Sequence, residues 1–271
     1  VSCPKAKTHL TITKKRALYS RLPLRYPPAM NVPCPSCPPC RDAAATRHSH
    51  HEAALRVRAA GRLWHMERAA NLEQLWQEMG EDDFHDERLP YWTEIWPSSI
   101  ALCSWLARRR REISGRICLD LGCGLGLCAL TGVWLGARVL AADYEPEALR
   151  FAKRNAHHNA AGQPLWTVMD WRHPAVKPGS IFRLWGGDIM YEERFVPPVT
   201  RFLGHALAPD GAAWIAEPGR SIYGTFLRSL RESGWRTESV HTEEVPPVCA
   251  QPVPVTVTVW EIRRGASAGQ A

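Results

Sequence analysis

The sequence predicts an α/β protein with a mostly parallel sheet and helices on both faces. Two observations carry that reading: strands and helices alternate from residue 117 onward, and the run Leu119-Asp-Leu-Gly-Cys-Gly-Leu-Gly-Leu127 ends an apolar strand in an acid followed by alternate glycines. At 271 residues the chain holds one such domain with a full core plus an appendage.

Residues 116–121 read as a buried strand and 125–136 as a small-residue helix, which leaves Gly122, Gly124 and Gly126 on the turn between them. Glycine there lets the backbone turn sharply and lets a ligand reach main-chain N–H groups near the helix N-terminus. Cys123 lies inside the same loop. Residues 137–143 form a second apolar strand, and Asp143 at its end offers the carboxylate that a ribose diol needs. It follows Gly124 by 19 positions, close to the roughly 20 expected for such an acid.

A dinucleotide fingerprint reads G-x-G-x-x-G, whereas this loop reads D-x-G-x-G-x-G. The acid Asp120 would repel a pyrophosphate and attract the α-ammonium of a methionyl group, directly or through water. That charge argument ranks S-adenosylmethionine (SAM) above an NAD-type site and above a glycine-rich turn with no ligand.

Upstream, Leu72, Leu75, Trp76 and Met79 fall at helical spacing and predict an amphipathic helix over 67–79 that lids the domain, ended by the acidic run 81–87. In the tract Tyr91-Trp-Thr-Glu-Ile-Trp-Pro97, Ser98 is placed to cap a helix whose Leu102, Trp105 and Leu106 face inward. The aromatics are either plain core or a wall in which Trp92 and Trp96 lie beside a sulfonium. Pro146 opens a helix running to about Asn159, and residues 164–169 and 180–187 are the third and fourth strands. Ligands of open α/β sheets bind at the carboxyl ends of strands, so Asp188 faces cofactor and substrate, with Tyr191 and Glu192 beside it. A helix over 195–206, a strand over 212–216, a helix ending at Gly234 and a late alternating strand over 255–262 complete the domain.

Composition narrows the function classes. No run of 18 apolar residues exists, so no membrane-spanning helix is expected. The net charge of +7 is unevenly spread: residues 1–62 carry 12 Lys and Arg against Asp42 and Glu52, leaving the remainder at −3. A nucleic-acid substrate therefore gains little support. Residues 1–62 read as a disordered, basic, Pro- and Cys-rich extension, 63–112 as a helical lid segment, 113–264 as the catalytic body and 265–271 as a disordered tail. The extension holds Cys34, Cys37 and Cys40 at C-x2-C-x2-C spacing, but its prolines give no zinc-knuckle turn and no second pair follows, so no metal is expected. Residues 14–23 faintly suggest a targeting peptide, and the opening Val rather than Met suggests a truncated start or a mis-assigned tail. Nine cysteines, an odd count, point to a reducing cytoplasm.

From about Leu72 to Arg264 the chain resembles the class I (seven-strand) SAM-dependent methyltransferases. Within them it is most similar to the branch of protein N-lysine methyltransferases and bacterial predicted nicotinamide N-methylases. The resemblance rests on residues 90–97, 119–127, 143–149, 169–172, 187–192 and 216–219. It implies a Rossmann-like seven-stranded sheet in the order 3-2-1-4-5-7-6. It implies that the loop from Asp120 to Gly126, with Asp143 and Tyr144, binds SAM, that Asp170 accepts from the adenine amino group, and that Trp171 covers the ring. It also places Trp96 near the methionyl end, with Glu94 looking into the site.

Three functions follow. The first is N-methylation of a protein lysine, with Asp188 or Glu192 orienting the amine, Tyr191 on the wall and Glu94 in reserve. The second is N-methylation of a small pyridine or amine, and the third is a SAM-binding partner protein without turnover.

Overall fold

The computed structural model describes residues 52–69, 90–248 and 253–265. The Cys34/Cys37/Cys40 cluster, residues 70–79 of the expected lid helix, the acidic run 81–87 and the tail beyond 265 lie outside them. Among the described residues no helix is long and apolar enough to cross a membrane.

The described residues open on a hairpin, β1 (Glu52–Ala59) and β2 (Arg62–Ala69), paired antiparallel from Ala59↔Arg62 outward. This corrects two expectations, disorder through residue 62 and helix from residue 67. Val57 and Ala59 on one strand, with Trp64 and Met66 on the other, alternate inward and are buried. Ala60 and Gly61 between them both take positive φ, 54° and 74°, the two-residue turn that suits a twisted hairpin.

After a 3₁₀ turn at Tyr91–Thr93 come α1 (Pro97–Arg108), the short α2 (Arg110–Ile113), β3 (Ile117–Leu121), α3 (Leu127–Trp134), β4 (Arg138–Asp143), α4 (Pro146–Asn159) and β5 (Leu165–Val168). Then follow β6 (Ile181–Gly187), α5 (Val196–Ala206), β7 (Leu207–Glu217), α6 (Tyr223–Glu232), β8 (Trp235–Val245) and β9 (Val255–Arg264). Helix α1 starts on Pro97 with Trp96 at the N-cap, so Ser98 sits inside the first turn and is not the cap.

The seven strands β3 to β9 lie in the order β5-β4-β3-β6-β7-β9-β8, parallel except for β9, which runs antiparallel to β7 and β8. Numbered within the sheet, this is the 3-2-1-4-5-7-6 order that the resemblance implied. Period-two alternation sends Cys118 toward α1 and α3, and Leu119 and Leu121 toward α5 and α6. Val199, Phe202, Leu203 and Ala206 of α5 are fully buried, as are Phe226 and Leu230 of α6. Strand β8 had no sequence signal, because it is an edge strand whose Glu238, Glu243 and Glu244 break the apolar alternation.

The hairpin docks through an uncommon ladder. β2 is paired to β1 on one side, and on the other its backbone is met by the side-chain amides of Asn155 and Asn159, one turn apart on α4. Asn155 Oδ1 accepts from the Glu67 amide at 2.6 Å and its Nδ2 donates to the Glu67 carbonyl at 3.1 Å. Asn159 repeats the pair on His65 at 2.9 and 2.7 Å. Each amide thus acts as one residue of a third strand and satisfies groups that burial would otherwise leave unpaired. Trp64, fully buried beneath the hairpin, makes the hairpin part of the core. Trp64→Ala is expected to lower the unfolding free energy by about 3–5 kcal/mol. Urea denaturation checks this, and a loss below about 0.5 kcal/mol, the range of ordinary surface substitutions, would contradict it.

Candidate active site

The carboxyl ends of β3, β4, β5 and β6 open onto a cavity of about 320 Å³, within the range of small-molecule sites. One wall is the glycine loop. Gly122 has φ +68°, and a Cβ there would stand 2.9 Å from Ile189 Cγ2, so both backbone and space require glycine. Gly124 presents its amide to Asp143 Oδ2 at 2.8 Å, and Asp143 Oδ1 accepts from the Glu145 amide at 3.0 Å. Burial pushes the Asp143 carboxyl up, and these backbone donors pull it back. A carboxylate has about four lone-pair sites, so room for a diol remains.

The other walls gather Glu94, Trp92 and Trp96 from the tract before α1, Tyr144 after β4, Asp170 and Trp171 after β5, and Asp188 and Tyr191 after β6. Aromatic edges run in contact across the cavity: Trp96 to Tyr91 at 6.1 Å, Tyr91 to Tyr191 at 5.2 Å, Tyr191 to Phe195 at 5.0 Å, and Phe195 to Trp171 at 5.2 Å. Cys123 lines the cavity as a buried thiol that desolvation holds well above the ordinary range, which removes it as a nucleophile.

Two expected ligand residues do not reach the cavity. Asp120 shares the inward phase of Cys118, points into the layer of α3, where the Ala129 amide meets it, and is 1% exposed. Direct contact with an ammonium in the cavity is therefore not its role. Gly126 packs instead against Ala152 and Trp166, which a Cβ would meet at 3.0 and 3.1 Å. Its place in the motif reflects helix–sheet packing.

The sequence also missed the cations. Arg68 of β2 pairs with Glu94, Arg172 Nε donates to Asp170 Oδ2 at 2.8 Å, and Arg220 grips Asp188 with Nε to Oδ1 at 2.5 Å and Nη2 to Oδ2 at 2.6 Å. Asp188 therefore does not stand ready to bind an ammonium as expected, since the Arg220 guanidinium already compensates its charge. Burial pushes the Glu94 carboxyl up despite Arg68. Burial also carries the Tyr191 hydroxyl above the ordinary tyrosine range, so it stays a neutral phenol rather than a base. Glu192 is paired with Arg194 at 2.9 Å.

Known proteins resemble the chain in sequence and fold. Residues 101–177 match the family model described as Ribosomal protein L11 methyltransferase (PrmA). A SAM-dependent methyltransferase of Methanosarcina mazei superposes with a TM-score of 0.50 at 12% identity, over 59% of this chain and 98% of its own. The chain has the class I SAM-dependent methyltransferase fold. In sequence it is similar to EEF1A lysine methyltransferase 3 of Mus musculus, 27% identical over 58% of this chain and 69% of that protein. It is also similar to the Electron transfer flavoprotein beta subunit lysine methyltransferase of Danio rerio, 33% identical over 49% of this chain and 52% of that one. The chain thus spans about half to two thirds of these relatives' length.

The methyltransferase fold holds an unusual acid at Asp120. Burial, with the nearby Asp143 adding to it, raises its carboxyl to about 8, against about 3.9 in an unfolded chain. The native state then binds the extra proton between those values, so stability falls as pH rises from about 4 to about 8. Asp120→Asn is expected to flatten this slope, read from urea unfolding across that window. Parallel slopes for the two proteins would contradict it.

Proposed function

We propose that this chain is a SAM-dependent methyltransferase whose acceptor is a protein lysine. The observation that carries the reading is the convergence on one cavity of the glycine loop, Asp143 at the end of β4, Asp170 at the end of β5 and a continuous aromatic wall. Support for a protein acceptor comes from the two lysine methyltransferases to which the chain is similar.

The residues fit the cofactor. Asp143 would take the ribose diol, and Asp170 and Trp171 the adenine edge and face. The backbone of Gly122 to Gly124 and the aromatic pair Trp92 and Trp96 would hold the methionyl end, where a cation is attracted to an aromatic face. When bound, SAM supplies an electrophilic methyl on a sulfonium.

The chain's own task is to align a neutral amine and exclude water. A lysine of pKa about 10.4 costs about 4–5 kcal/mol to neutralise at pH 7. Glu94, Asp170 and Asp188 each hold an arginine, so the wall presents compensated acids rather than a trap for ammonium. The phenol of Tyr191 and the rings beside it shape the approach of the amine, which loses its proton to solvent.

Two measurements test this. Tritiated SAM offered with the protein to a cell lysate is expected to label protein lysines. Label confined to small molecules would favour a pyridine or amine acceptor, for which the aromatic wall is equally suited, and no label would contradict transfer. On a lysine substrate, kcat/KM is expected to rise about tenfold per pH unit from about 7 toward 9 as the neutral amine grows. A flat profile would contradict a wall without a free base.

A further inference from the structure

Asp188 occupies a backbone conformation that residues other than glycine seldom adopt, with φ +57°. Strain of this kind persists only where the surroundings over-determine it, and here β7 supplies the restraints. The Asp188 amide donates to the Ala216 carbonyl at 2.8 Å, and the side chain, 3% exposed, is gripped by both prongs of Arg220. Arg220 is itself fixed by its turn: Glu217 Oε2 accepts from the amides of Gly219 and Arg220 at 2.6 and 3.0 Å. Three residues beyond Asp188, Tyr191 stands edge-on between Tyr91 and Phe195 on the cavity wall.

The charged and titratable groups that face this corner come from four places. They are Tyr91 in the turn before α1, Tyr191, Glu192 and Arg194 after β6, Asp143 at the end of β4, and Glu217 and Arg220 at and beyond the end of β7. Arg194 is paired with Glu192, and Arg220 is the cation that meets Asp188.

We propose that Arg220 is a positioning residue of the acceptor site, acting through Asp188: its planar fork holds the strained corner that sets Tyr191 against the cavity and cancels the Asp188 charge, so that the site takes its acceptor as a neutral amine. The proposal rests on the methyl-transfer reading above. A lysine at position 220 keeps a charge but loses the two-pronged geometry, so it restores only part of the function.

The test compares wild type, Arg220→Lys, Arg220→Met and the double variant Asp188→Asn/Arg220→Met, all below their unfolding temperatures. Methyl transfer to a lysine substrate is followed from about pH 6 to 9.5, across the approach to the lysine pKa, and the Kd for SAM is measured by calorimetry. Arg220→Met is expected to lower kcat about tenfold or more with the SAM Kd changed less than about threefold, as lost positioning does. Its pH profile should also differ in shape from that of wild type at the acid end, because a carboxylate without its cation attracts the ammonium form of the acceptor, a difference the double variant lacks, while Arg220→Lys recovers part of kcat. An active wild type whose Arg220→Met profile runs parallel to it, or whose loss follows thermal stability alone, overturns the positioning role. An inactive wild type overturns the transfer reading and this role with it.

Discussion

The hydrogen bond from the Gly124 amide to Asp143 Oδ2, 2.8 Å long, ties the loop after β3 to the end of β4, and so fixes two walls of the cavity against each other. A loop of small residues between a buried strand and a buried helix has little side-chain packing to fix it. The carboxylate supplies the fixed point, and its second oxygen orders the start of the chain toward α4 through Glu145. The carboxylate that anchors this loop is also the one we propose for a ribose diol, so on that reading structure and binding draw on one group. Leu125 continues the connection: its carbonyl accepts from Asn155 Nδ2 at 3.0 Å, and Asn155 in turn carries the hairpin. The cofactor loop, α4 and β2 are therefore linked by a single side-chain amide.

Charge is handled around the cavity by pairing rather than by exposure. Arg68, Arg172 and Arg220 come from three different elements, yet each meets an acid of the wall. The Arg68–Glu94 and Arg220–Asp188 pairs, each with a buried carboxylate, contribute little net stability, because desolvation offsets the attraction, but removing one partner is costly, whereas Arg172–Asp170 lies at the surface. Their consequence here is chemical. On the proposed reading, acids paired in this way beside an aromatic lining discriminate against a retained ammonium and favour the form of the amine that has a lone pair to give. Asp120 follows the same logic by another route, since it is buried deeply enough to take up a proton instead of a counter-ion.

The parts of this protein that were legible in the sequence are those set by short spacings. The strand, acid and glycine order of residues 119–127 places the loop, the interval to Asp143 places the second strand, and the stripe Val199, Phe202, Leu203 and Ala206 places α5. What was not legible depends on partners distant along the chain. Arg220 lies 32 positions from Asp188 and Arg68 lies 26 from Glu94, and nothing in local pattern pairs them. That is why Asp188 read as a free carboxylate. The misplaced role of Asp120 has a different origin: an acid one residue before the end of a strand faces a helix layer by alternation, and period two applied strictly to β3 would have turned it inward. The hairpin carried a usable signal in the alternation of Leu55, Val57 and Ala59, the Ala60-Gly61 turn, and Trp64 and Met66, which the basic composition of the surrounding segment obscured.

Calorimetric titration of the protein with SAM, and separately with NAD, tests the central claim most directly, because the glycine loop, Asp143 and the aromatic wall must act together to hold one ligand and refuse the other. Saturable binding of about one SAM per chain with no heat from NAD is the predicted result, as expected for a single convergent pocket. Binding of NAD without binding of SAM would contradict the account.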